Sequence, residues 1–250
     1  MPARKIASRA DWLIARREHL ANEKALTRAL DELREERRRL PWVRVDKPYA
    51  FEGADGPVSL DDLFDGRSQL VVQHFMFAPD WEEGCMGCSF QADHVDAAWL
   101  HLAHHDVSFA AISRAPFPML EAYRRRMGWR FRWVSSHGSD FNFDFGVSFA
   151  PDQIAAGVAA YNFGQSVPDM EELPGVSVFV REGGEVFHTY SSFARGPELL
   201  IGAYNYLDLT PFGRNETGAR RNLADWVRRH DSYEAKAGAS CCCAAGREAA

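Results

Sequence analysis

Between residues 69 and 136 the chain alternates apolar runs with amphipathic stretches, and that alternation limits the fold more than any other feature. "QLVVQHFMF" (69–77) is almost continuously apolar, the mark of a strand buried on both faces. A helix from about Cys85 to His104 follows it. Then come a strand, "VSFAAIS" (107–113), a helix, "PFPMLEAYRRRMG" (116–128), and a strand, "FRWVSS" (131–136). Strands in series with helices between them predict parallel pairing through crossovers. "GVSVFV" and "EVFHTYS", joined by Arg181-Glu182-Gly183-Gly184, predict a β-hairpin. The expected fold is an α/β sandwich, a central mixed β-sheet flanked by helices.

The flanks extend this core. Residues 8–40 read as one long helix, with Leu13, Leu20, Leu26, Leu30, Leu33 and Leu40 at near-helical spacing and Pro41 ending it. Such a helix lies across its own domain or pairs with a second copy to give a homodimer, and the sequence does not choose. "WVRVDKPYAFEG" (42–53) is strand-like and breaks at Asp55-Gly56-Pro57. Ser59 with Asp62 three residues on forms a capping box for a short helix at 59–64. Helices are expected near 151–161 and over 197–207 and 219–230. The division predicted is a helical extension (1–41), a main domain (42–231) and a small, polar, disordered tail (232–250).

Bulk properties exclude some functions. A formal net charge of −6 argues against a general nucleic-acid surface, which needs a basic footprint. The clusters Arg37–Arg39, Arg124–Arg126 and Arg220–Arg221 read as solvated helix faces. No apolar run approaches the roughly 18 residues of a spanning helix, so no membrane partner is expected. The N-terminal stretch lacks a signal-peptide core, and the expected compartment is the cytoplasm.

In a reducing compartment a Cys-x-x-Cys is catalytic or metal-binding more often than a structural staple. "GCMGCSF" (84–90) places Cys85 and Cys88 at the start of a predicted helix. Positions three apart there lie about 5–6 Å apart at Cβ, near disulfide range. Free N–H groups and the helix dipole stabilise a thiolate at the first position, making Cys85 the natural nucleophile and Cys88 the resolving thiol. Asp80, Glu82 and Glu83 oppose that charge. On a helical wheel Cys88 joins the apolar face of Ala92, Val95, Ala98, Trp99, Leu102 and Ala103. Asp93, His94, His101, His104 and His105 fall opposite. A structural zinc site, a permanent disulfide and two inert buried thiols stay open as alternatives. The zinc reading lacks a second cysteine pair.

Strand, loop, Cys-x-x-Cys opening a helix, β-α-β, hairpin and helix together resemble the thioredoxin fold over residues 69–207. "VSLDDLFDGRSQLVVQHFMFAPDWEEGC" looks more like the peroxiredoxin and thiol-reductase branch. "HFMFAPDWEEGCMGCSFQADH", "SRAPFPMLEAYRRRMGWRFRWVSSHGSDFNFDF" and "FHTYSSFARG" make nearly the whole chain similar to a bacterial thioredoxin-like family catalogued as a domain of unknown function. The resemblance implies a thiol–disulfide oxidoreductase without a cofactor, acting on a protein disulfide, a small thiol compound or a peroxide. It implies a cis Pro174 against the cysteines, shaping the substrate groove, with Trp81 at its rim; an ordinary loop proline fits the sequence at 174 equally well. Two departures stand out. Thioredoxins carry Trp directly before the first cysteine, whereas Trp81 lies four before it. Peroxiredoxins carry Pro and a hydroxyl residue at set distances; Pro79 is present, but Glu82 and Glu83 occupy the hydroxyl's neighbourhood and no arginine partner is assignable.

Other features are weaker. His74, in a buried strand, reads as a hydrogen-bonded core histidine, and as the candidate ligand if the cysteines hold copper in a non-catalytic metal-binding or interaction module. Arg114 and His137 fall at strand ends, where site residues of parallel sheets gather. Trp129, Phe131, Trp133, Phe141, Phe143 and Phe145 read as packing. Cys241–Cys243 lack tetrahedral spacing and read as functionless.

Overall fold

The computed structural model describes residues 5–233, so the tail from 234, with Cys241–Cys243, lies outside the described residues. The chain divides into two compact units between Val43 and Arg44. The first contains helix α1 (Arg9–Arg38), 30 residues long. The Ser8 side chain caps it, accepting the Asp11 N–H at 3.1 Å. Pairs such as Arg16–Glu23 (2.7 Å) run along its surface, and none of its residues is buried.

The second unit holds the sheet. Its strands are β1 (Val43–Arg44, at the junction), β2 (Ala50–Gly53), β3 (Gly56–Ser59), β4 (Gln69–His74), β5 (Val107–Ser113), β6 (Arg132–Ser135), β7 (Gly175–Glu182) and β8 (Glu185–Phe193), in the order β1-β8-β7-β4-β5-β6-β2-β3. β4, β5 and β6 run parallel, His74 opposite Ile112 and Ile112 opposite Val134. β7 lies antiparallel to β4, placing Gly175 opposite His74, and β8 returns beside β7. A mixed sheet whose first parallel strand runs into the cysteine helix, with a hairpin on its far side, is the thioredoxin-like arrangement. Among the described residues no helix is long and apolar enough to cross a membrane.

Strand alternation builds two cores. Ala111 and Trp133 face one, where helices α2 (Met86–His104) and α3 (Phe117–Arg126) contribute Cys88, Ala92, Val95, Leu120 and Tyr123. Leu70, Val72, Ala110, Ile112 and Val134 face the other, with Phe64, Phe179 and Phe141 from the short helix α4 (Phe141–Asp144). Two further short helices, α5 (Pro151–Ala155) and α6 (Gly202–Leu207), complete the unit.

Several boundaries differ from the sequence reading. β4 ends at His74, yet Phe75, Met76 and Phe77 stay buried, because they carry the core past the ladder towards the cysteines. Gly56 and Pro57 begin β3 instead of closing a turn; Pro57 tolerates this beside Glu52 because β3 is an edge strand. The Ser59–Asp62 box is present, each side chain accepting the other's backbone N–H (3.1 and 2.8 Å), and it opens a 3₁₀ turn at Asp61–Phe64.

Residues 219–230 are not a helix. The Asp225 carboxylate accepts the N–H groups of Gly218 (2.9 Å) and Arg220 (3.1 Å), Arg221 adopts a left-handed φ of 50°, and Asn222 caps a single 3₁₀ turn at Leu223–Asp225. Side chains thus take backbone donors that a helix would have used.

Candidate active site around Cys85 and Cys88

After β4 the chain leaves the sheet and returns so that the Cys85 N–H donates to the Met76 carbonyl at 2.9 Å. Gly84 is needed there for close approach: a Cβ on it would sit 2.7 Å from Phe75 Cε1 and 3.2 Å from Tyr123 Cε1. Its conformation is an ordinary one, so tight packing, and not a special turn, explains the glycine. Cys85 then occupies the N-cap position of α2, half-buried, and Cys88 lies buried one turn in.

The two thiols are electrostatically unequal. The Cys88 thiol and the N–H groups of Gly87 and Cys88 favour negative charge on Cys85 sulfur, as does the Arg229 guanidinium. Together these outweigh burial and pull the Cys85 thiol well below its usual range. Donation to Cys85, burial, and the charges of Cys85 and Glu172 push Cys88 up, although its sulfur accepts the Met76 N–H at 3.4 Å. The environment thus favours the thiolate at Cys85 and the thiol at Cys88.

Arg229 ties down the loop that leads into Cys85. Its Nη2 donates to the Gly84 carbonyl at 2.7 Å, its Nε to the Tyr123 hydroxyl at 2.8 Å, and its Nη1 pairs with Glu83 at 2.8 Å. The Tyr123 hydroxyl meets Ser89 Oγ at 2.9 Å, and Ser89 Oγ donates to the Cys85 carbonyl at 2.8 Å. Glu83 also pairs with Arg126. The acidic residue nearest the cysteine in sequence is therefore held by two guanidiniums, which removes much of its opposition to a thiolate.

Cys85, Cys88 and Pro174 line one cavity of about 420 Å³, walled on its outer side by residues 216 and 220–224. Leu223 packs over Gly87, where a Cβ would meet Leu223 Cδ1 at 3.2 Å. Val227 is fully buried, clustered with Phe90, Ile201 and Tyr204. This covering explains why the first turns of α2 are buried nearly all round, from Cys88 to Ala92, while Ala98 of the expected inner face is exposed. His94, expected on the solvent side, is held by α6 and its own helix. Its Nδ1 meets the Phe90 carbonyl at 2.7 Å and its Nε2 accepts the Ala203 N–H at 3.0 Å.

Pro174 reaches the cavity through a trans peptide bond, since the described residues contain no cis bond. Its neighbours hold the backbone extended: Leu173 N–H donates to Val147 O at 2.9 Å, and Gly175 already pairs with both His74 and Phe193. The Tyr161 hydroxyl bridges the Pro174 carbonyl (2.5 Å) and the Ala194 N–H (2.8 Å). Trp81 does not line the cavity; it packs, half-buried, against the α2–α3 core.

The remaining candidates separate. Arg114 pairs with the buried Glu172 at 2.7 Å, Ser148 donates to the same carboxylate at 2.9 Å, and the His137 ring lies 3.2 Å from the Arg114 carbonyl. Burial is the largest influence on Glu172 and raises its carboxyl despite Arg114. His74 bonds Ser177 Oγ at 2.7 Å, and burial holds its pKa down to about 3, so it stays neutral in the core. Among the described residues no three His, Cys, Asp or Glu side chains converge as a metal site. Arg229, Tyr123 and Glu172 carried no local signal in the sequence, because each lies far along the chain from the cysteines it influences.

Three solved structures illustrate the likeness, all at low identity. A peroxiredoxin Q variant from Xylella fastidiosa is 11% identical, spans 64% of this chain and 89% of its own, and superposes with a TM-score of 0.40. Peroxidoxin BcpB from Mycobacterium tuberculosis is 14% identical over 67% and 96%, with a TM-score of 0.41. A protein described as thiol:disulfide interchange protein DsbE, from Chlorobium tepidum, is 12% identical over 66% and 94%, again at 0.41. No curated protein matches the sequence. A family model does match, over residues 1–233, and the chain belongs to that family, DUF899, bacterial proteins of unknown function.

Proposed function

We propose that this protein is a thiol–disulfide oxidoreductase in which Cys85 attacks and Cys88 resolves. What supports the reading is the unequal placement of two free thiols: Cys85 lies half-buried at the N-cap of α2, where the Cys88 thiol draws its pKa down to about 6, while Cys88 is buried one turn in and pushed up. The thiolate displaces one half of a substrate disulfide, forming a mixed disulfide and releasing a thiolate. Cys88, losing its proton, then attacks Cys85 sulfur, releases the second half as thiol and leaves the Cys85–Cys88 disulfide. A hydroperoxide would instead oxidise Cys85 to a sulfenic acid with loss of an alcohol, and Cys88 would condense with it, expelling water. Pro174 forms part of the wall of the same cavity.

The test is to equilibrate the protein in graded dithiol buffers, alkylate it, and weigh the Cys85–Cys88 fragment by mass spectrometry. A reversible two-electron couple between about −120 and −270 mV is expected, the span of known exchange proteins. Thiols that never pair would end the proposal.

A further inference from the structure

The cysteine cavity carries donors without a partner among the described residues. Gln91 is only 8% exposed and lines the cavity, yet its buried side-chain nitrogen has no hydrogen-bond partner among the described residues. A buried donor left unpaired is costly, so it marks a place for an incoming acceptor. At the outer wall, the exposed side chains of Arg220 and Arg221 make no ion pair or hydrogen bond among the described residues. The wall's carboxylates are already engaged: Glu198 takes Arg195 (2.9 Å) and Arg214 (2.6 Å), and Glu216 accepts the Tyr204 hydroxyl at 2.6 Å. What remains unpaired among the described residues is the positive charge of Arg220 and Arg221 and the Gln91 N–H, set against the single charge of Glu216.

From this we infer that the cavity selects a small disulfide bearing carboxylates, its acidic groups held by Arg220, Arg221 and the Gln91 amide while a sulfur faces Cys85. The inference rests on the exchange reading above and names its substrate class. The volume, about 420 Å³, falls within the range of small-molecule sites. Leu223 and Val227, anchoring the outer wall over α2, favour a compact ligand entering the cavity over the flat face of a folded protein. Each turnover balances without a further reagent: the Cys85–Cys88 dithiol loses two electrons and two protons, and the substrate disulfide becomes two thiols.

The test uses the reduced full chain in single turnovers with three disulfides of similar size: dianionic 3,3′-dithiodipropionate, neutral bis(2-hydroxyethyl) disulfide and cationic cystamine. Each rate is divided by that disulfide's rate with free dithiothreitol. The dianion is expected to react about tenfold faster than the neutral compound, the size of effect that two screened charges give. Raising the salt from 0.05 to about 0.5 M should shrink that ratio. In R220Q/R221Q the ratio should fall to about one. Both arginines are exposed, so the variant keeps its core, and the salt series needs no variant. A dianion no faster than the neutral disulfide, or a ratio unchanged in R220Q/R221Q, overturns the selection while leaving thiol exchange standing. Failure of all three disulfides to react removes the exchange reading and this inference together.

Discussion

Arg229 donates to the carbonyl of Gly84 at 2.7 Å across 145 positions of sequence, so the residue before the candidate nucleophile is held from the far end of the described chain. The same guanidinium favours negative charge on Cys85 and pairs with Glu83. R229Q should move the Cys85 titration upward and slow alkylation near pH 6.5 about fivefold, with R229K recovering part of the loss. Thiolate absorbance at 240 nm against pH reads this directly. An unmoved titration would reduce Arg229 to a structural tie.

The Cys85 thiol is drawn down to about 6, chiefly by the Cys88 thiol's hydrogen bond. Its iodoacetamide rate should therefore level off by about pH 7.5, whereas an ordinary thiol is still rising there. C88A removes the donor and should push the midpoint up; C88S, which keeps a hydroxyl donor, should push it less.

Linkage ties this to stability. Between about pH 6 and 8.5 unfolded Cys85 binds a proton that the folded thiolate has lost, so the reduced protein should gain stability as pH rises. Above about 8.5 the sign reverses: folded Cys88, pushed up, keeps a proton that the unfolded thiol releases. Urea midpoints across this range should peak, and C85S should lose the rising limb.

Glu172 is buried with Arg114 as its ion pair. E172Q leaves the guanidinium without its counter-charge and should cost about 3 kcal/mol in urea unfolding. It also removes a charge that raises Cys88, so the second, resolving step should become faster at neutral pH. A rapid-quench experiment separates that step from the first.

Gly84 has no room for a side chain. G84A should cost about 2 kcal/mol through overpacking against Phe75 and should disturb the loop entering α2. A crystal structure of the variant, or loss of the low Cys85 titration, would register the displacement.

The frame of the molecule was readable because buried parallel strands write their own boundaries. The run Val107–Ser113 is β5 to the residue, and the hairpin arms fall where β-branched residues end at Gly183-Gly184. The cysteine pair was readable because its position, one strand and one loop into the fold, is local. The site's surroundings were not. Leu223, Trp226 and Val227 have helical spacing, but Asp225 takes two of the amides a helix requires, so the segment lies as a strap. The start of α6 holds His94 inward, Ala203 N–H donating to its Nε2. Pairings such as Arg229–Glu83 and Arg114–Glu172 join residues far apart in sequence, and periodicity over a short window carries no record of them.

The outer wall of the cysteine cavity is also its last part to be made. A growing chain presents Cys85 and Cys88 more than 100 residues before Arg229 and Leu223 emerge. During that interval the pair lacks the guanidinium over Gly84 and the cover over Gly87. Order of synthesis therefore separates two settings of the same two thiols: without residues 216–229 while the chain grows, and walled by them once they have emerged.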